Sequence, residues 1–298
     1  MRKETQTTLT KAGAVEGVGL HSGAPARIAL APAAAGYGIV FRRAGKTPFE
    51  TPESDIAVRP DNVADTRRGV TLKNASGASV MTVEHLLAAF AICGVDNALV
   101  EIDGPEVPIL DGSAAPFIWL IEDCGLARLE APREPIIVAA PIREEAGDRF
   151  IAVEPYDGRL IEIEIDFADP AIGRQSVSLS LDDAETAMRR LGSARTFCTL
   201  GEVEAMRAAG LGLGGSLDNA VVVDGGRLLN EEGLRDPAEF ALHKALDLVG
   251  DLSLAGAPIV GKITARKPGH DLNTRLARRL FDRKAAATGA SGARLMQA

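Results

Sequence analysis

The sequence predicts an α+β protein of two similar halves, each a sheet with helices, packed as a β-α-α-β sandwich with the active site at the seam between them. Three observations lead there. Short, alternating strand segments recur on both sides of the midpoint. An order of helix, glycine, strand, turn and helix occurs twice, first over 83–123 and again over 239–284. Between the two lies Leu129-Glu130-Ala131-Pro132-Arg133-Glu134-Pro135, where two prolines among charges suit an exposed connection. The pattern divides the chain into 1–128, a linker at 129–135, and 136–298.

Bulk properties narrow the function. The chain has 298 residues, 46% of them apolar, and a net charge of −8. That supports a sizeable core and argues against a nucleic-acid surface. No apolar run approaches a membrane span, and Met1-Arg2-Lys3-Glu4 is not followed by the apolar stretch of a signal peptide. Cys93, Cys124 and Cys198 are odd in number and sit in apolar or helical contexts, as reduced structural thiols of a cytoplasmic protein do.

In chain order, strands are expected at 6–10, 26–30 and 39–43, with Gly and Pro between them. Gly17-Val18-Gly19-Leu20-His21-Ser22-Gly23 is a glycine-punctuated turn, and His21 there reads as a loop histidine without a role. Thr82 suits an N-cap, with Glu84 and His85 in the first turn of a helix that is otherwise apolar to Phe90. An acid and an imidazole at the start of a buried helix must be paired or must face a cleft or a metal. A satisfied structural histidine stays open as the alternative. Strand 97–102, a turn at Asp111-Gly112-Ser113 and helix 114–123 complete the first unit.

The second half returns to strands at 136–140, 150–154 and 160–167, the last alternating cleanly enough to bury one face. Short helices follow at 182–190 and 202–209. The run Gly210-Leu211-Gly212-Leu213-Gly214-Gly215 is either an ordinary loop or the lining of a passage for an apolar ligand. A hairpin is expected over 220–229. Helix 239–254 then carries His243, Asp247 and Asp251 at four-residue steps, so the three share one row. The row reads either as a solvated polar face or as a metal site. Strand 259–265, a turn at Pro268-Gly269 and helix 270–284 end the second unit.

A duplicated unit brings the histidines of its two central helices to a shared seam. His85, His243 and Asp247 then form two imidazoles and a carboxylate, a set that leaves one position open on a divalent ion. Glu84, beside a ligand, suits a general base. His270, in a Gly-His turn at a helix start, suits a proton donor or a cation beside a developing oxyanion, with Asp251 holding its ring. Spacing alone supports a metal-dependent hydrolase and no more.

Several blocks go further. They are 17–23, Thr82-Val83-Glu84-His85-Leu86, Pro108-Ile109-Leu110-Asp111-Gly112-Ser113-Ala114-Ala115-Pro116-Phe117, Ala194-Arg195-Thr196-Phe197, Leu213-Gly214-Gly215-Ser216, His243-Lys244-Ala245-Leu246-Asp247-Leu248-Val249-Gly250-Asp251 and Gly269-His270. Together they resemble the UDP-3-O-acyl-N-acetylglucosamine deacetylases, the zinc amidases of lipid A synthesis in Gram-negative bacteria. The resemblance implies a cytoplasmic enzyme that removes acetate from the 2-amino group of a UDP-sugar bearing a 3-O-acyl chain. It implies Zn2+ (or Fe2+) on His85, His243 and Asp247, Glu84 as base, and His270 as acid with Asp251 behind it. It places Thr196 at the oxyanion, Lys244 and Lys267 at the diphosphate and sugar, and an acyl passage within 196–217 that includes Leu211, Gly215 and Ser216. Leu20, His21, Phe167 and Phe197 fall where the substrate is bordered. Arg67-Arg68-Gly69 departs from the family pattern at the rim of the site, and Asp169 stands before Pro170 where the resemblance implies a histidine. A monomer is expected, with peripheral membrane contact left open. Two alternatives stay in view: the same metal site acting on another acyl amide, and a metal-stabilised binding protein without turnover.

Overall fold

The structure is a computed structural model that describes residues 5–44 and 54–295. The first half holds β1 (Thr5–Leu9), β2 (Gly13–Val18), β3 (Pro25–Pro32), β4 (Ile39–Arg43), β5 (Asp55–Ala57), β6 (Val63–Asp65), β7 (Thr71–Lys73), β8 (Ser79–Val80), α1 (Glu84–Cys93), β9 (Ala98–Ile102), α2 (Ala115–Cys124) and β10 (Leu126–Pro132). The second holds β11 (Ile136–Ile137), β12 (Ile142–Ala146), β13 (Arg149–Glu154), β14 (Arg159–Asp166), β15 (Arg174–Ser180), the single turn α3 (Ala184–Thr186), β16 (Phe197–Thr199), α4 (Leu200–Ala208), β17 (Val221–Asp224), β18 (Arg227–Leu228), α5 (Glu239–Leu252), β19 (Ile259–Arg266) and α6 (His270–Leu295).

The repeat shows in sheet topology. The first main sheet runs β2-β3-β9-β4-β5 and the second runs β12-β13-β19-β14-β15. In each, two hairpins flank a central strand that arrives last in sequence. β9 is antiparallel to β3 and parallel to β4, and β19 is antiparallel to β13 and parallel to β14. β11 adds a parallel edge pairing to β19. The central helix, α1 or α5, precedes each inserted strand, and a second helix, α2 or α6, follows it.

Alternation decides which face of each sheet meets the helices. Ile28 and Leu30 on β3, Val100 and Ile102 on β9, and Ile161, Ile163 and Ile165 on β14 are buried, while their neighbours are not. Burying each such side chain contributes about 1.5–3 kcal/mol. α1 is buried from Glu84 to Phe90, and α5 from Glu239 to Leu252 except at Lys244. A helix sheathed all round in this way sits between layers, not on a surface.

The two central helices cross closely at Gly250. A Cβ there would stand 2.1 Å from the backbone oxygen of Glu84, too close for any side chain. Gly250→Ala is therefore expected to push α5 off the start of α1 and to cost about 1–3 kcal/mol, read from the urea-unfolding midpoint. Gly201 in α4 has nothing within 4 Å of its would-be Cβ, so Gly201→Ala should be neutral or mildly stabilising. Equal midpoints for the two variants would refute the close crossing.

Several expectations are corrected. Much of the stretch 129–135 is ordered: β10 pairs antiparallel with β1, and the Arg133 guanidinium donates to Asp96 at 2.8 Å. Pro132 ends that pairing opposite Thr5, and only 133–135 remain as a short connection to β11. Thr82 is not an N-cap. Its φ is +58°, and its hydroxyl donates to Glu106 Oε1 at 2.8 Å. The short strands β5 to β8 and the polar strand β15 carry too little apolar periodicity to be expected from sequence.

Candidate metal centre and cavity

Four side chains set one to a turn along α5 build the site. Glu239, His243, Asp247 and Asp251 follow at four-residue steps and so face one way. All four are buried. Across the helix crossing, α1 presents Glu84 and His85 from its first turn.

His85, His243 and Asp247 converge, with one potential ligand atom from each lying within 4.8 Å of the others. The two imidazoles stand edge to face with ring centres 5.1 Å apart. Asp247 Oδ1 is 3.3 Å from Nε2 of His243 and 3.6 Å from Nε2 of His85. Ligands on a tetrahedral ion with bonds of about 2.0–2.1 Å stand about 3.4 Å apart, so this spacing suits one divalent ion.

Protonation states agree with that use. The Nδ1–H of His243 donates to the carbonyl of Ala194 at 3.2 Å, which leaves the Nε2 lone pair toward Asp247. Burial drives this imidazole down to about 3, so it is neutral. Burial opposes ionisation of Asp247, but the Lys244 ammonium beside it holds the carboxyl well below the usual carboxylate range. Lys244 Nζ donates to Asp247 Oδ2 at 2.9 Å, so Oδ1 is the oxygen left for a metal.

Glu84 accepts the backbone N–H of Val70 at Oε2, 3.0 Å away. Gly69 makes room for it, because a Cβ there would lie 2.7 Å from Glu84 Oε1. His270 Nδ1–H donates to Asp251 Oδ2 at 2.8 Å, and Asn273 donates to the same oxygen at 2.9 Å. Burial disfavours a charged His270, but the Asp251 carboxylate beneath it wins, and the pKa is raised.

A cavity of about 500 Å³ opens beside this cluster. Glu84, His85, His243, Asp247 and His270 line its polar part, and Leu200, Val203, Met206 and Leu217 line an apolar part. Leu20, His21, Thr196, Phe197, Gly215, Ser216 and Lys244 also face it, as do Arg67 and Arg68. His21 donates from Nε2 to the carbonyl of Arg68 at 3.0 Å, and its Nδ1 has no protein partner. Thr196 is clamped through its backbone to Gly112 and Val221, both at 2.8 Å. Cys198 faces the cavity too, but burial pushes its thiol up to about 11, so it is protonated.

Four of the expected site residues lie outside the cavity wall. Asp251 lies under His270. Phe167 backs Phe197, with ring centres 5.3 Å apart. Leu211 donates its backbone N–H to Met206. Lys267 is held by Asp148 at 2.8 Å and Asp166 at 3.2 Å. Asp169 is a turn residue, accepting from Ala171 and Gly226.

Sequence reasoning missed the groups that hold these residues in place. Glu106 is buried and accepts from Thr82 and from the backbone of His21 and Ser22. It ties the 19–22 turn to the start of α1. Arg195 and Glu239 form a buried ion pair. The signal for Glu239 was present, since it opens the row of His243. The non-glycine residues with positive φ, among those described, are Thr82, Leu110 and Lys267. Each adjoins a segment that carries or clamps a site residue, which is where backbone strain collects.

Fold and site together define a class: a duplicated α+β protein whose halves meet at a His-His-Asp cluster able to hold a metal beside a cavity. A family model for LpxC, UDP-3-O-acyl N-acetylglycosamine deacetylase, matches residues 6–282. A UDP-3-O-acyl-N-acetylglucosamine deacetylase of Phenylobacterium zucineum is 47% identical over 279 residues, covering 93% of this chain and 94% of that protein. Enzymes of the same name from an Anaeromyxobacter species and from Vibrio parahaemolyticus are 45% and 43% identical, covering 93% and 92% of this chain and 88% of each relative. The chain belongs to the LpxC family and is a deacetylase, a hydrolase. No helix among the described residues is long and apolar enough to cross a membrane.

Proposed function

We propose that this chain removes acetate from the 2-N-acetyl group of UDP-3-O-acyl-N-acetylglucosamine, in the cytoplasm, during lipid A synthesis. The observation that carries the reading is the convergence of His85, His243 and Asp247 beside a cavity with a polar and an apolar part. A free sugar amide would not need the apolar part; a 3-O-acyl sugar would. The chain divides for this purpose into 1–128 and 136–298, each giving one imidazole to the seam.

His85, His243 and Asp247 would hold Zn2+, or Fe2+, which the donor set also tolerates. When bound, the ion supplies Lewis-acid polarisation of the amide carbonyl and acidifies an attacking water. Glu84 takes the proton from that water, its carboxyl oriented by the N–H of Val70. Thr196 donates to the developing oxyanion, and its doubly clamped backbone fixes where the hydroxyl stands. Protonated His270, supported by Asp251, gives its proton to the departing amine. Lys244 meets the diphosphate and sugar, and His21 offers Nδ1 to a sugar hydroxyl. Leu20, Phe197, Gly215 and Ser216 border the substrate, and Phe167 supports Phe197 from behind. Leu211 shapes the passage through its bond to Met206, and Lys267 reaches the substrate only by leaving its two carboxylates.

The test is acetate release from the UDP-sugar before chelation, after chelation and after zinc is restored. Activity should vanish and return. Turnover that survives complete removal of metal would defeat the metal reading, and metal binding without acetate release would favour a binding protein or another amide.

A further inference from the structure

We infer that the buried ion pair Arg195–Glu239 is a positioning strut that sets the aim of the His243 ring and the Thr196 hydroxyl. The inference rests on the metal reading above. Glu239, His243, Asp247 and Asp251 are 0%, 2%, 4% and 0% exposed, so a whole helix row of ionisable groups is buried. His243, Asp247 and Asp251 face the centre or the proton donor. Glu239 does not line the cavity and faces Arg195 instead.

The contacts are two-point. Glu239 Oε1 accepts from the Arg195 backbone N–H at 3.0 Å and from its Nε at 2.9 Å. Glu239 Oε2 accepts from the Arg195 guanidinium at 3.3 Å and from the backbone N–H of Arg235 at 2.7 Å. The remaining guanidinium donors go to the carbonyl of Gly233 and to Glu232. One turn further along α5, His243 donates to the carbonyl of Ala194 at 3.2 Å. Consecutive turns of the helix thus grip consecutive residues, 195 and then 194. Thr196 comes next, already in the cavity wall.

A buried ion pair is weak evidence for stability, because well-packed apolar residues often replace one without loss. A planar fork against a carboxylate does fix direction, and a fixed direction is what a ligating ring and an oxyanion donor need. The geometry therefore assigns Arg195 and Glu239 to positioning, through Ala194 and Thr196, without contact to substrate.

The decisive protein is the paired variant Arg195→Met with Glu239→Leu, in the full chain. Zinc affinity is measured by chelator competition, the metal-free unfolding midpoint is followed, and kcat and KM are taken at saturating zinc. Zinc should bind roughly 10–100-fold more weakly, as when other partners of metal ligands are removed. The metal-free midpoint should stay near that of the parent, since the one charge left without its partner, Glu232, is more than half exposed to water. At saturating zinc, kcat should fall with KM nearly unchanged. Zinc affinity within about threefold of the parent would overturn the strut. If the paired variant does not fold, Arg195→Lys, which keeps the charge and loses the fork, is judged by the same threshold. Failure of both to fold assigns the pair to stability and also overturns it. A parent chain that takes up no zinc overturns the metal reading itself, and the strut with it.

Discussion

Glu84→Gln is expected to keep its metal and to lose about 10²–10⁴-fold in kcat, the range that a positioned general base supplies. The substitution is close to a pure loss of basicity. Glutamine has the same shape, and its carbonyl oxygen still accepts the N–H of Val70 that now meets Glu84 Oε2 at 3.0 Å. The room beside Oε1 left by Gly69 takes the amide nitrogen. His85 lies one residue further along α1, so the ligand cluster is left as it stands. Metal content per chain and acetate release would be measured on one preparation. A variant that holds its metal and keeps kcat within about tenfold of the parent would remove Glu84 from the base's place. A variant that loses the metal would show instead that Glu84 supports the centre.

What was legible in the sequence depended on how local its cause is. The row on α5 could be read because helical period is a property of neighbours, and Asp247 and Asp251 fall on the face of His243 without tertiary information. The joining of His85 to His243 needed the repeat, and the repeat survives in strand order even where residues differ. Thr82 shows the opposite case. Its residue type favours an N-cap, yet Glu106, far along the chain, takes its hydroxyl and the backbone adopts φ +58°. Glu239 lay in plain sight at the start of the row, but its purpose appears only once Arg195 is folded against it. At 129–135, proline composition suggested a linker because the pairing of β10 with β1 joins segments more than a hundred residues apart. Acid, hydroxyl and guanidinium groups find partners across the fold, and composition gives no warning of which.

Asp251→Asn should move the alkaline limb of the kcat profile to lower pH by about 1–3 units, the effect of removing one opposite charge at contact distance. The sign follows from two opposed causes. Burial alone lowers the pKa of His270, and the Asp251 carboxylate raises it and prevails. A proton donor is active below its pKa, so the parent keeps its activity as pH rises until His270 is lost at that raised value. Asparagine keeps the hydrogen-bonding outline toward His270 Nδ1 and Asn273 but carries no charge, so burial then decides and His270 deprotonates earlier. Near the acid end of the profile, where the ring is protonated in both proteins, their rates should approach one another. Stability carries the same sign. The raised pKa contributes stability that is present near the unfolded value of about 6.5, fades below about 6 where burial lets Asp251 itself take up a proton, is lost as pH rises through the folded value of His270, and is absent from the variant. An alkaline limb that stays put, with activity lowered equally at every pH, would mean that Asp251 only orients the ring and that its charge does not govern the proton His270 delivers.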